Sequence, residues 1–263
     1  MQSSTKQQEI EALLSLRPRT DYHISGKWLL AAVGNYLIWA TLAWIILLGF
    51  VGGVPLAIIG PVLVILGTVG LIASASSAYL VYLLVNRRNT HFAREQAVFG
   101  SALDILRTKV RPDDMNAQAS LVNNYRYYQW LGETSGEKSA ILQSLLTLVP
   151  YLGWLFLTFE LLLLCDDWKE HEVREDYMIQ DVNRTLGLIG SHFLPARLRP
   201  SPVRFRSGVL YLILSIVTVG VAELVWLQLS IGDPREHFEF HSHLEFPLAG
   251  LSAPPAALGR AVA

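Results

Sequence analysis

The stretch LAIIGPVLVILGTVGLIASASSAYLVYLLV, residues 56–85, contains no charged side chain. At about 1.5 Å rise per residue, a helix of this length exceeds the roughly 30 Å thickness of a bilayer's hydrocarbon core. It reads as a membrane-crossing helix. Upstream, the run from Trp28 to Phe50 is equally apolar, with Asn35 its one strongly polar member. VGGVP, residues 51–55, is long enough only for a tight turn between them. Residues 28–85 therefore form an antiparallel transmembrane hairpin. Downstream, segments 140–165 and 208–231 carry a single charge each, Glu160 and Glu223. The expected fold is all-α: an integral membrane bundle of four transmembrane helices with amphipathic juxtamembrane helices between them.

Composition agrees. Hydrophobic residues make up 52% of the 263, and charged residues 16%, against roughly 25% charged in an average soluble domain. A net charge of −1 gives no clustered basic surface for phosphates, which sets nucleic acid aside as a partner. The lone Cys165 excludes an internal disulfide and a thiolate metal cage. Residues 1–27 carry Glu9, Glu11 and Asp21 and are too long and too acidic for a signal-peptide leader. They read as a surface segment in which Ile10, Leu13 and Leu14 give QQEIEALLSL (7–16) one apolar helical face.

Between the spans lie two juxtamembrane segments, 86–139 and 166–207, and they repeat one another. NRRNTHFAREQAVFGSALDIL (86–106) aligns with DDWKEHEVREDYMIQDVNRTL (166–186) at an offset of 80 residues, sharing His91 with His171, Arg94 with Arg174, Glu95 with Glu175 and Leu106 with Leu186. Phe99 and Ala102, and Ile179 and Val182, continue each apolar face at helical spacing. Each copy reads as a helix leaving the membrane along its surface. Residues 232–263 hold a partial third copy, with EHFEFHSHLEF (236–246) repeating the His-Phe pair, followed by an Ala- and Pro-rich tail expected to be disordered from Pro247.

The region TVGVAELVWLQLSIGDPREHFEFHSHLE, with the basic LRPSPVRFR before it, resembles a family of uncharacterised prokaryotic multi-pass membrane proteins through Thr218, Gly220, Trp226, Asp233, His237 and Phe238. The resemblance implies a membrane address and no activity.

Lys and Arg bias sets orientation. With four crossings, fourteen Lys and Arg fall on the side of the N-terminus and seven on the other, which places both termini in the cytoplasm of a prokaryotic plasma membrane. Arg197, Arg199, Arg204 and Arg206 strain that arrangement, because they lie on the poorer side. A re-entrant 140–165, broken near Pro150 and Gly153, would relieve the strain, but 26 residues suit a single crossing by length.

Candidate chemistry is sparse. Glu223 lies within the fourth apolar segment and Glu160 nearer the end of the third; an intramembrane acid is a functional candidate by default, or a polar link between helices. Gly67, Gly70, Ser74 and Ser77 form a small-residue stripe suited to helix packing. In a helix His237 and His241 fall one turn apart and could chelate zinc, copper or nickel, with His243 nearby. No HExxH, Walker loop, GxGxxG or nucleophile motif accompanies them, so no cofactor is required by motif, and zinc or copper is the candidate. The pairs His91/Glu95 and His171/Glu175 read as turn-spaced helix supports. Tyr125, Tyr127, Tyr128 and Trp130 read as an interfacial or protein-contact patch. The expected role is a structural or accessory membrane subunit, packing in the lipid bilayer with itself or with other membrane protein subunits. The alternative is a small transporter or channel component using Glu223.

Overall fold

A computed structural model describes residues 2–149, 152–197 and 201–251, and these residues contain helices and no strand. In chain order they are α1 (Gln2–Ser15), α2 (Arg17–Thr20), α3 (Lys27–Val51), α4 (Leu56–Lys109), α5 (Met115–Thr134), α6 (Ala140–Leu146), α7 (Gly153–Leu188), α8 (Gly208–Val217), α9 (Val221–Gly232) and α10 (Pro234–Gly250). A short 3-10 turn, Pro202–Phe205, precedes α8.

Two helices, α3 and α4, are long and apolar enough to cross a membrane. They pair antiparallel through the turn after Val51, where Gly53 takes φ +61°. Three members of the small-residue stripe supply the contact surface, and their partner is the chain's own α3. A Cβ on Gly70 would stand 3.2 Å from Ile38 and Trp39. The Trp39 indole donates to Ser74 Oγ at 2.9 Å, and Ser74 donates to Asn35 Oδ1 at 2.9 Å. Ser77 is buried beside them, whereas Gly67 has open space where a side chain would be. The outward faces are apolar and exposed, with Leu30 73%, Trp44 62%, Ile58 66% and Ile72 65% accessible. Rows of this kind on a soluble monomer would form an unusually large apolar patch.

Neither 140–165 nor 208–231 forms the single continuous helix that its length allows. The first is broken after Leu146 and restarts at Gly153. The close return of Thr147 leaves no space for a side chain there: a Cβ on Gly153 would strike the Thr147 carbonyl. Ser139 caps the short arm, accepting from Leu142 N. The flanks of the segment then meet, since Lys138 Nζ lies 2.6 Å from Asp167, which Arg88 of α4 also reaches at 3.0 Å. The second segment turns at Thr218–Gly220, where Val219 has φ +51° and Gly220 φ +91°. Tyr211 of α8 stacks on Trp226 of α9 with ring centroids 5.3 Å apart, and Arg206 chelates Asp233 at 2.9 and 3.2 Å. Both segments are helical hairpins whose ends lie together, so in place of four continuous apolar helices the described residues hold two long helices and two fold-back hairpins. The second tip is tied to the middle of α3, where the Tyr36 hydroxyl donates to the Val219 carbonyl at 2.5 Å.

The remaining helices gather into a cap at the polar end of α4, which continues unbroken for 54 residues. The apolar faces of the repeat do not lie along a surface. Phe99, Ala102 and Leu106 of α4 meet Ile179, Val182 and Leu186 of α7 in one buried cluster. Ile10 of α1 is fully buried in the same cluster, with Leu13 and Leu14 packed against it, so this helix turns its apolar face to the cap. Leu244 and Leu248 of α10 and Leu251 just after it close the cluster, and α10 extends through Pro247 into the stretch expected to be disordered. The tail beyond Leu251 lies outside the described residues. Tyr125, Tyr127 and Tyr128 pack on the cap core, and Trp130 takes the Arg174 guanidinium over its ring at 5.0 Å.

The Gly220 turn gives a direct check. A Cβ there would meet Tyr36 at 2.9 Å on a backbone that L-residues rarely adopt, at a cost of about 1–3 kcal/mol. Gly220→Ala is expected to lower the midpoint of thermal unfolding in detergent measurably, while Gly67→Ala, with open space around it, leaves the midpoint within error. Equal midpoints for the two would mean that the turn is not left-handed.

Candidate metal centre

Helical periodicity places residues four apart on one face, and three helices use it to build one site. His91 and Glu95 project from α4, His171 and Glu175 from α7, and His237 and His241 from α10. All six are at most 2% exposed. One ligand atom from each of His91, Glu95, His237 and His241 lies within 4.8 Å of the others. His91 Nε2 and His237 Nε2 are 3.0 Å apart, His171 Nε2 is 2.5 Å from Glu95 Oε2, and His241 Nε2 is 3.0 Å from Glu175 Oε1. Phe92, Trp168, Val203 and Phe238 form an apolar layer beneath, with Phe92 stacked on His171 at 3.7 Å.

Neighbouring charges hold the imidazoles in place. Asp21, just after α2, accepts from His91 Nδ1 at 2.7 Å and from Arg94 at 2.8 Å. Arg94 also pairs with Glu245 at 2.7 Å. Arg197, from the connection after α7, reaches Glu175 at 2.9 Å, Glu172 at 3.2 Å and His237 Nδ1 at 3.1 Å. Five carboxylates, those of Asp21, Glu95, Glu172, Glu175 and Glu245, thus share this interior with two buried guanidiniums, Arg94 and Arg197. With the His241 imidazolium and, at the edge, Arg17 at 3.5 Å from Asp21 counted as well, a small negative excess is left for a cation.

The titration behaviour follows from these contacts. Burial opposes ionisation of Asp21, but the His91 hydrogen bond and the charges of His91 and Arg94 outweigh it and hold the carboxyl at about 2. Burial likewise works against Glu95, yet His171 and His241 keep it well below the usual carboxylate range. His241 is pushed up to about 10, because Glu175 and Glu95 overcome its desolvation. His237 moves the opposite way, well below its usual value, through burial and the nearby positive charge of His241 and Arg197.

The donor set suits a metal ion. Imidazole nitrogens and carboxylate oxygens with no thiolate are the ligands of zinc, manganese and iron rather than of soft cuprous copper. An Asp behind a ligating His is the usual outer support of such sites. Several buried atoms also lack a well-aligned hydrogen bond, among them Glu95 Oε1, Glu175 Oε1 and His241 Nε2.

The residues singled out from the sequence separate here. His237 and His241 enter the site, whereas His243 is exposed on the other face of α10. His91, Glu95, His171 and Glu175 are more than turn-spaced helix supports, since they complete the cluster. Their repetition at a fixed offset was the signal for it. Asp21 and Arg197 carried no local signal at all. Glu223 lies elsewhere: it is buried, accepts from Thr158 at 2.5 Å, and borders a cavity of about 270 Å³ with Asn35, Tyr36, Ser77 and Gly220. Ser77 and His91 are fourteen residues apart on one helix, or about 21 Å, so this cavity is separate from the cluster. Glu160 is buried on α7 with Oε1 unpaired.

No family model matches the chain, and no curated protein or solved structure is significantly similar to it.

Removing one partner of a buried ionic cluster costs about 3–5 kcal/mol, whereas exposed positions usually change stability by less than about 0.5 kcal/mol. Glu95→Ala is expected to show the large loss and Glu239→Ala the small one in thermal or denaturant unfolding in detergent. Comparable small losses for both would place Glu95 outside a buried cluster.

Proposed function

We propose that this chain is an integral membrane metalloprotein whose metal centre stands at the membrane surface. The observation that carries the reading is the convergence of His91, Glu95, His237 and His241, fully buried, with ligand atoms inside 4.8 Å. These four would hold a divalent transition ion, zinc, manganese or iron by donor type, with copper(II) and nickel(II), which such donors bind at least as tightly as manganese or iron, as competitors decided by geometry and availability. When bound, such an ion supplies Lewis-acid polarisation and an activated water. The chain's own part is to hold the ligands still. Asp21 fixes the His91 ring, Arg94 and Glu245 anchor Asp21 and α10, His171 holds Glu95 through its Nε2, and Glu175 joins His241 to Arg197 beside the four. A purely structural accessory subunit has no use for so much buried charge.

In this reading α3 and the apolar half of α4 cross the bilayer, and the hairpins α6–α7 and α8–α9 enter from one side and return to it. Every described Lys and Arg then falls on the side of the N-terminus, which the charge bias assigns to the cytoplasm. A place in a larger membrane assembly is the second reading. It is favoured by the exposed apolar rows of α3 and α4, and it is compatible with a metal centre.

Metal analysis of protein purified in mild detergent is expected to find stoichiometric zinc, manganese or iron. His91→Ala or His241→Ala should remove most of it, His243→Ala should leave it in place, and chelation should lower the unfolding midpoint because a ligand of the native state is withdrawn. A wild-type protein that is metal-free and gains no stability from any of these ions defeats the metal reading.

Orientation is tested separately in a Cys165→Ser background. Glu137→Cys, Lys169→Cys and Arg235→Cys should react with an impermeant maleimide from one side of the membrane, and Val54→Cys from the other. Reaction of position 169 or 235 on the side of position 54 would restore crossing helices in place of the hairpins.

A further inference from the structure

Beside the cluster lies a cavity of about 610 Å³ lined by Arg17, Asp21, His23, Arg87, Arg235 and Phe238, among others. Its inner wall is the outer wall of the cluster. Asp21 is the residue bonded to His91, and the Phe238 ring is 4.8 Å from the His91 ring. Its depth is set by Arg87 and Ile231, which stand where the charge-free run of α4 and the apolar α9 end. That is headgroup level for a chain embedded as proposed above.

The charges around this cavity do not balance. Asp21 is already engaged by His91 and Arg94 and also lies 3.5 Å from Arg17, which donates to the Phe238 carbonyl at 2.6 Å, and Glu239 lies beside Arg235 at 4.0 Å, so two carboxylates face three arginines. Arg87 is 2% exposed, yet among the described residues no carboxylate lies within ion-pairing distance of it. Two of its nitrogens donate to the carbonyls of Ile231 and Ser230 at 3.2 and 3.0 Å, and its Nε has no partner. A guanidinium keeps its charge at neutral pH even when burial lowers its pKa to about 10. A charged guanidinium in the wall of a cavity that is also lined by Arg17 and Arg235 matches a planar or tetrahedral oxyanion.

We propose that this vestibule binds a phosphoryl group at the membrane surface, held by Arg87 with Arg17 and Arg235. The group is a phosphate monoester or diester, brought by a lipid headgroup or as free phosphate. The site stands on its own geometry. Its identification as the substrate group of the adjacent centre rests on the metal reading.

The full-length protein in a neutral maltoside detergent is titrated with inorganic phosphate, and separately with short-chain phosphatidic acid against short-chain phosphatidylcholine. Ionic strength is held constant with chloride, and binding is followed by the unfolding midpoint and by native mass spectrometry. Wild type is expected to bind one or both anions and not phosphatidylcholine. Arg87→Gln should weaken that binding by about tenfold or more, the scale of one charge-assisted hydrogen bond. Arg235→Gln, exposed at the rim and neutral for folding, should weaken it less, which keeps the test valid if Arg87→Gln folds poorly. Saturation by phosphate alone assigns a soluble phosphoryl ligand, and preference for phosphatidic acid assigns a lipid headgroup. Binding of neither anion, or equal binding by wild type and both variants, overturns the proposal. Repeating the titration in chelator separates the two ideas, because the anion site should persist when metal is gone.

Discussion

Glu95 and Glu175 sit in the interior of the cap with almost no access to water, and a carboxylate there without compensation would cost several kcal/mol. Four imidazoles and Arg197 supply the compensation, and they arrive from three helices that are far apart in sequence. His91 leaves the second apolar run, His171 the third and His237 the fourth. For their side chains to meet, all three exits must lie on one side of the apolar layer. The segments between them must therefore begin and end at the same level. With 26 and 24 residues, neither can cross a hydrocarbon core of about 30 Å twice as a helix. Folding back partway is the solution that remains, and both segments adopt it.

In the membrane reading proposed above, folding back creates a problem of its own, because a hairpin tip would expose backbone groups where lipid offers no hydrogen bonds. The structure answers with side chains from α3 and with local turns. Tyr36 donates to the Val219 carbonyl, and Gly220 N bonds to Ser215 O at 2.7 Å within the left-handed turn. At the other tip Gly153 N bonds to Val149 O at 2.7 Å. Both tips, with Asn35, Ser74 and Ser77, border the same cavity, so the non-helical backbone lines protein instead of facing outward. The polar residues of the first two helices thus find their use in accommodating the hairpins.

How much of this is legible in sequence depends on the range of the interaction. The apolar runs and the helical class follow from local composition. The repeat of His-x2-Arg-Glu marked the right residues, but a pair one turn apart looks the same whether it steadies its own helix or faces a second one. The two copies are not equivalent in space either: Arg94 is buried between Asp21 and Glu245, while its counterpart Arg174 reaches Glu133 and Glu170 near the surface. Length alone favoured crossings, since a hairpin and a span of 26 residues have the same composition. The breaks were unequally visible. Pro150 and Gly153 advertise one, whereas Thr218-Val219-Gly220 contains a single helix-breaking residue, and the group that bonds its Val219 carbonyl, Tyr36, comes from elsewhere in the chain. Asp21 and Arg197 join the site through connections whose course no pattern encodes.

The protonation pattern of the cluster indicates what a metal ion would replace. Arg197 can only donate, so His237 Nδ1 accepts, and the proton of that ring resides on Nε2. Asp21 requires His91 Nδ1 to donate, which leaves His91 Nε2 as the acceptor 3.0 Å from His237 Nε2. One proton is therefore shared between the two nitrogens that also belong to the four-ligand group. A divalent ion placed among them would take the lone pair of His91 Nε2 and shift the His237 proton from Nε2 to Nδ1, and the proton that keeps His241 charged would be the one released. His237 then needs a new acceptor for a proton moved to Nδ1, and Glu175 Oε2 is already 3.6 Å away. Arg197, bound to Glu175 and Glu172 as well, is the group that must yield. The connection carrying Arg197 lies between α7 and α8, so the shift of the His237 proton on metal binding would be felt at the base of the second hairpin.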